Sequence, residues 1–100
     1  MRETFGALLA SVQAERAGDR DVRETMRVIA RDEARHALLS DAIDRWAGAH
    51  VDREELARAR RGAAAALRSG IDREDLAEDA ARALGIPDAV TQRALIDALA

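Results

Sequence analysis

One hundred residues with a formal charge of −3, 35% charged and 48% hydrophobic, make one small domain and leave no room for a second independent core. Alanine supplies 24 residues, Leu, Ile, Val and Phe together only 21, and aromatics 2%, which excludes an all-β fold and predicts an all-α one with a thin core. The absence of cysteine excludes disulfide scaffolds, thiolate metal sites and cysteine nucleophiles, and no apolar run approaches the roughly 20 residues that cross a bilayer.

Glycines punctuate a helical pattern along the chain. A first helix is predicted from Arg2 to Ala17. The opening Met1-Arg2-Glu3-Thr4 does not read as a signal peptide, so a cytoplasmic location without a membrane partner is expected. Gly18-Asp19-Arg20 turns the chain into the longest helix, predicted from Asp21 to Ala47, with Asp19 or Asp21 as N-cap and Gly48 closing it. A third helix should start at Asp52, where Glu55 three residues on makes an approximate capping box, and run to Arg68 before Gly70. A fourth repeats that opening: Val51-Asp-Arg-Glu-Glu-Leu-Ala and Ile71-Asp-Arg-Glu-Asp-Leu-Ala match at an offset of 20 residues, better explained by shared cap chemistry than by a true repeat. After Gly85-Ile86, a last helix is expected from Pro87, a good first-turn residue, to the end of the chain. The first two helices should form a long antiparallel hairpin over residues 1–48. Residues 49–100 should form a cluster of three shorter helices packed on it within a single domain.

The second helix holds the one informative constellation. With Glu33 set at zero and about 100° per residue, Val22, Met26, Ile29, His36, Ser40, Ile43 and Ala47 fall on one side of it. Glu33 and His36 thus occupy the stripe expected to be buried. A carboxylate buried without a partner costs several kcal/mol, and two titratable groups one turn apart ask for a compensating charge. A metal ion shared by a carboxylate oxygen and an imidazole nitrogen at i and i+3 is the simplest. The pair could equally be satisfied by each other or by arginines of the later helices at a core edge.

The segment Ile29-Ala-Arg-Asp-Glu-Ala-Arg-His-Ala-Leu-Leu resembles the metal-binding helix of the ferritin-like superfamily, whose di-iron or di-manganese sites lie inside four-helix bundles. More narrowly, Arg2-Glu-Thr-Phe-Gly-Ala-Leu, Asp21-Val-Arg and Ala42-Ile-Asp-Arg-Trp46 make residues 1–47 similar to uncharacterised bacterial ferritin-like domain proteins. The later residues share only the Leu84-Gly-Ile-Pro87 ending. The resemblance implies Glu33 and His36 as metal ligands, and Glu3, 30 positions before Glu33, as their partner on the preceding helix. It implies iron or manganese as the bound metal, which carboxylate and imidazole donors suit better than zinc or copper.

This chain departs from that pattern in having one helix pair and one Glu-x-x-His. It begins where the second pair of a longer relative begins, so it is either a fragment or truncated paralogue, or it completes the bundle with a second copy. Encapsulated ferritins, also similar in this respect, build their di-iron site across a dimer of short subunits, and a homodimer is expected here on that analogy. Two faces of the first helix compete for Glu3. The large apolar residues Phe5, Leu8, Leu9 and Val12 lie nearly opposite it, whereas Gly6, Ala7, Ala10, Ala14 and Ala17 are in line with it. If the second helix approaches the small-residue face, Glu3 points at Glu33. Otherwise Glu3 complements the helix dipole, worth a few tenths of a kcal/mol.

Lesser features fill out the reading. Asp32 is placed to orient the second nitrogen of His36, or to make an exposed pair. Asp44 is roughly 16 Å from Glu33 along the helix, too far for the same ion, and should meet an arginine or solvent. Trp46 and Leu39 are expected to form the seam with the later helices, and His50 to lie on the surface. Arg58, Arg60, Arg61 and Arg68 raise nucleic-acid binding, but the acidic balance and the lack of an aromatic platform argue against it. Pairing with Asp72, Glu74, Asp75, Glu78 and Asp79 explains the same arginines. Two functions follow as expectations: a ferritin-like metal-binding protein for iron or manganese, with ferroxidase-type activity on dimerisation, or a non-catalytic helical module with a degenerate metal site.

Overall fold

The computed structural model of the chain describes residues 1–72 and 76–99. All its elements are helices: α1 (Arg2–Arg16), α2 (Arg20–His50), α3 (Arg53–Asp72), α4 (Glu78–Leu84) and α5 (Ala89–Leu99). The all-α prediction holds, and α1 packs against α2. At 1.5 Å per residue, the 31 residues of α2 span about 46 Å. They set the longest dimension of a slab measuring 45 × 26 × 16 Å.

The caps explain most of the boundaries. The Asp19 carboxylate accepts from the Val22 amide at 3.0 Å and starts α2. Asp52 accepts from the amides of Glu54 (2.9 Å) and Glu55 (3.2 Å), which starts α3 as the sequence predicts. The last helix differs slightly. Asp88 takes the cap position by accepting from the Thr91 amide at 2.8 Å, so Pro87 precedes the cap instead of occupying the first turn.

Two glycine-based boundaries are corrected. Helix α2 runs through Gly48 to His50, whose ring stacks on Trp46 with centroids 4.4 Å apart. Helix α3 runs through Gly70 to Asp72. Burial of Ile71 explains the second case: an interior glycine costs about 1 kcal/mol, and burying an isoleucine returns about 1.5–3 kcal/mol. The predicted fourth-helix opening at Ile71-Asp72 is therefore the end of α3. Residues 73–75 of that motif lie outside the described residues, and α4 starts at Glu78 with no side-chain cap. The matching seven residues at 51–57 do start a helix, because Val51 is exposed there while Ile71 is core.

Helix α1 has neighbours on two sides. Its small residues Ala10 and Ala14 are buried, as is Ala17 beyond its end; Gly6 lies beside Glu33 of α2 and Ala17 beside Gly85. Its Phe5 joins Ala64 and Ile71 of α3 and Ile96 of α5 in the main cluster, with Leu9 and Leu67 packed against it. Asp44 of α2 holds Arg60 of α3 through two hydrogen bonds (2.5 and 3.2 Å), the arginine partner expected for it. Arg68 pairs with Asp97 of α5. Arg60 and Arg68 thus find partners on α2 and α5, the expected partners at 74 and 75 lie outside the described residues, and Glu78 pairs with Arg82 of its own helix at 3.7 Å.

Helix α4 is fastened to the turn between α1 and α2. The amides of Gly18 and Asp19 donate to the carbonyls of Arg82 (3.1 Å) and Ala83 (3.3 Å). Gln13 Nε2 donates to the Leu84 carbonyl at 3.0 Å. The helix ends in a Schellman pattern, Ile86 N–H to Ala81 (2.9 Å) and Gly85 N–H to Arg82 (3.2 Å). Gly85 has φ +70°, and a Cβ there would stand 2.5 Å from the Ala17 nitrogen. Gly85→Ala is expected to destabilise the fold by about 2 kcal/mol or more in urea unfolding, from strain and collision together.

The amide of Thr91, and secondarily its hydroxyl, hold the Asp88 carboxyl below its ordinary value of 3.8. A depressed folded-state pKa contributes stability that is complete above the unfolded-state value and disappears as pH falls through the folded one. Thermal unfolding followed from about pH 5 downward should show an acid loss that is smaller in Asp88→Asn, which keeps a neutral cap acceptor.

Candidate functional site

The approach of α2 to the small-residue face of α1 decides where Glu3 lies. Glu3 lines the same groove as Glu33 and His36, an open space of about 610 Å³ bounded also by Arg2, Phe5 and Gly6 of α1 and Leu67 of α3. All three residues singled out from the sequence thus line one groove. Gly6 keeps the groove open beside Glu33: a Cβ at that position would stand 3.6 Å from Glu33 Oε2.

Within the pair, His36 Nδ1 is 3.9 Å from Glu33 Oε1, beyond hydrogen-bond range. Two donors each about 2.1 Å from one ion, and 90° to 180° apart around it, stand about 3 to 4.2 Å from each other. The spacing therefore fits a shared cation. Arg2 also lines the groove and brings a competing positive charge to it.

Burial differs from the sequence expectation. Side-chain exposure is 34% for Glu33 and 63% for His36, and α2 has no fully buried residue. The physical reason is that α1 covers only one side of the predicted stripe. Met26, Ser40 and Ala47 are half-buried on that side, while Ile29, His36 and Ile43 are exposed on the other. Among the described residues, no three His, Asp or Glu side chains are close enough to hold one metal ion. A single chain therefore offers one donor pair and a third carboxylate along the groove.

The remaining expectations divide. The Asp32 carboxylate engages Arg35 at 3.4 Å, the exposed pair of the two readings. Leu39 and Trp46 do not form the seam with α3–α5; they are 63% and 60% exposed. His50 is on the surface, with Nδ1 2.8 Å from the Trp46 carbonyl. Sequence reasoning missed Arg2, Gly6 and Leu67 as groove residues. A glycine three positions after Glu3 was a legible signal for an open groove, whereas the arrival of Leu67 from α3 has no local signature.

Comparison of the chain with protein-family models, curated proteins and solved structures finds no match.

The groove gives a direct stability test. Gly6→Ala should raise stability by up to about 1 kcal/mol, since the new methyl meets Glu33 at ordinary contact distance and helix propensity improves. Gly6→Leu, which must displace Glu33, should lower it by about 1 kcal/mol or more in the same urea titration.

Proposed function

We propose that the chain is a ferritin-like protein that binds iron or manganese through Glu33 and His36, with Glu3 as a further carboxylate. The observation that carries this reading is the shared groove. Three metal-ligating side chains from two helices, 30 residues apart in sequence, line one space, and the Glu33–His36 separation of 3.9 Å suits a common ion. Oxygen and imidazole donors favour Fe(II) and Mn(II). One chain supplies half of the helices and half of the ligands of a bundle-type centre, so two copies facing one another complete it. Loaded with iron, such a centre supplies ferroxidase-type chemistry with dioxygen as the oxidant. The residues of the chain would hold and orient the ion, Glu33 and Glu3 through carboxylate oxygens and His36 through an imidazole nitrogen.

A second reading is favoured by the exposure of His36 and by the absence of a three-ligand group among the described residues. In it the chain is a helical interaction module with a degenerate site.

Anaerobic titration with Fe(II), and separately Mn(II), under light scattering distinguishes them. The metal-binding reading expects about one ion per chain in a dimer, as two copies of one donor set require. Glu33→Ala and His36→Ala should each weaken uptake by about tenfold or more. No uptake by the native chain, or uptake indifferent to both substitutions, leaves the module.

A further inference from the structure

Gln92 of α5 is the one buried polar side chain among the described residues, 5% exposed. Its Nε2 donates to the Pro87 carbonyl at 2.8 Å. A carbonyl only accepts, so this bond fixes which end of the amide meets Pro87 and turns Oε1 the other way. Among the described residues nothing donates to Oε1, and that atom is not sealed from solvent. An acceptor left empty among apolar walls is costly unless water or a ligand fills it. Gln92 lines an open cleft of about 430 Å³ between the end of α3, α4 and the start of α5, with Ile71, Leu76, Ile86 and Pro87 as apolar walls. The volume lies within the roughly 300–1,000 Å³ of small-molecule sites and matches that of roughly 14 waters at about 30 Å³ each. The charged groups of the wall are Glu78, Arg82 and Asp88. Glu78 and Arg82 answer one another at 3.7 Å. Asp88, held ionised as the cap of α5, meets no cationic side chain among the described residues. Gln92 also borders an apolar space beside Phe5 and Leu9, but that space has no charged wall.

We propose that this cleft binds a small apolar amine, its hydrocarbon body against Leu76 and Ile86 and its ammonium donating to Gln92 Oε1 within the field of the Asp88 carboxylate. Both polar features of the wall select the same head group. The unfilled atom is an acceptor, which calls for a donor, and the uncompensated charge is negative, which calls for a cation. An aliphatic ammonium supplies three donors and stays protonated at pH 7. A carboxylate or phosphate would instead face Asp88, with only a guanidinium already shared with Glu78 to hold it. The cleft shares no lining residue with the groove of Glu33 and His36, so this site stands apart from the metal-binding reading.

The test uses the full chain without metal, with phenylpropylamine as the probe and phenylpropanol and phenylpropionate as its neutral and anionic counterparts. Amide NMR shifts at Ile71, Ala81, Ile86 and Gln92 should move saturably with the amine, with a dissociation constant of about 1 mM or tighter. The alcohol should bind about fivefold more weakly, and the carboxylate about 30-fold more weakly or not at all. Gln92→Met, which removes the acceptor at similar volume, should weaken the amine about tenfold. That variant also loses the bond to Pro87, so two others stand beside it. Asp88→Asn keeps a cap acceptor and should bring the amine to the affinity of the alcohol. Ala81→Leu, which fills the cleft, should abolish binding of both with the helical circular dichroism retained. No saturable binding of the amine, a carboxylate bound as tightly as the amine, or binding indifferent to Asp88→Asn and Ala81→Leu overturns the proposal. So do shifts confined to Phe5 and Leu9, which would put the ligand in the neighbouring space. Binding of an uncharged leucine-bearing peptide in place of the amine overturns it as well, and makes the cleft a protein contact.

Discussion

The close approach of α1 and α2 is the constraint from which the rest of the architecture follows. Alanines 10, 14 and 17 are buried and Gly6 lies beside Glu33, so the two backbones can come near without large side chains between them. Small residues give up hydrophobic area in return for proximity. The large side chains of α1 must then find burial elsewhere, and Phe5 does so against α3 and α5. Helix α1 becomes the middle of the slab, and α2 packs mainly on α1, with only minor contacts to α3 and α4.

That asymmetry accounts for both the groove and the bare face. A carboxylate on the small-residue face of α1 is carried toward α2, which is why Glu3 and Glu33 share a space. Among the described residues nothing packs over the outer side of α2, where Ile29, Leu39, Ile43 and Trp46 stay exposed. The ion pairs Asp44–Arg60 and Arg68–Asp97 are all partly exposed and contribute at most about 1 kcal/mol each. They orient α3 and α5 more than they hold them.

Much of this was legible in the sequence, and the failures share a cause. Asp19 and Asp52 announced their helices because a cap is local chemistry. Gly48 and Gly70 misled because their cost is also local, and packing elsewhere outweighed it. The motif at 71–77 misled for the same reason, since the burial of Ile71 overrode the cap chemistry its neighbours carry. In the site, the i, i+3 relation of Glu33 and His36 was readable from spacing alone. The position of Glu3 was not, because α1 carries two candidate faces and only the contact with α2 chooses between them. Periodicity likewise marks α2 as amphipathic without saying whether the covering partner lies in the same chain.

The fastening of α4 to the turn has its own evolutionary signature. Apart from the Gln13 amide, it is made of main-chain groups: two turn amides reach carbonyls of α4, and the side chains of Arg82, Ala83 and Leu84 are exposed. A joint of this kind reads shape and is blind to side-chain identity. Those three positions are free to drift through any helix-compatible residue, while the glycine that follows them is pinned.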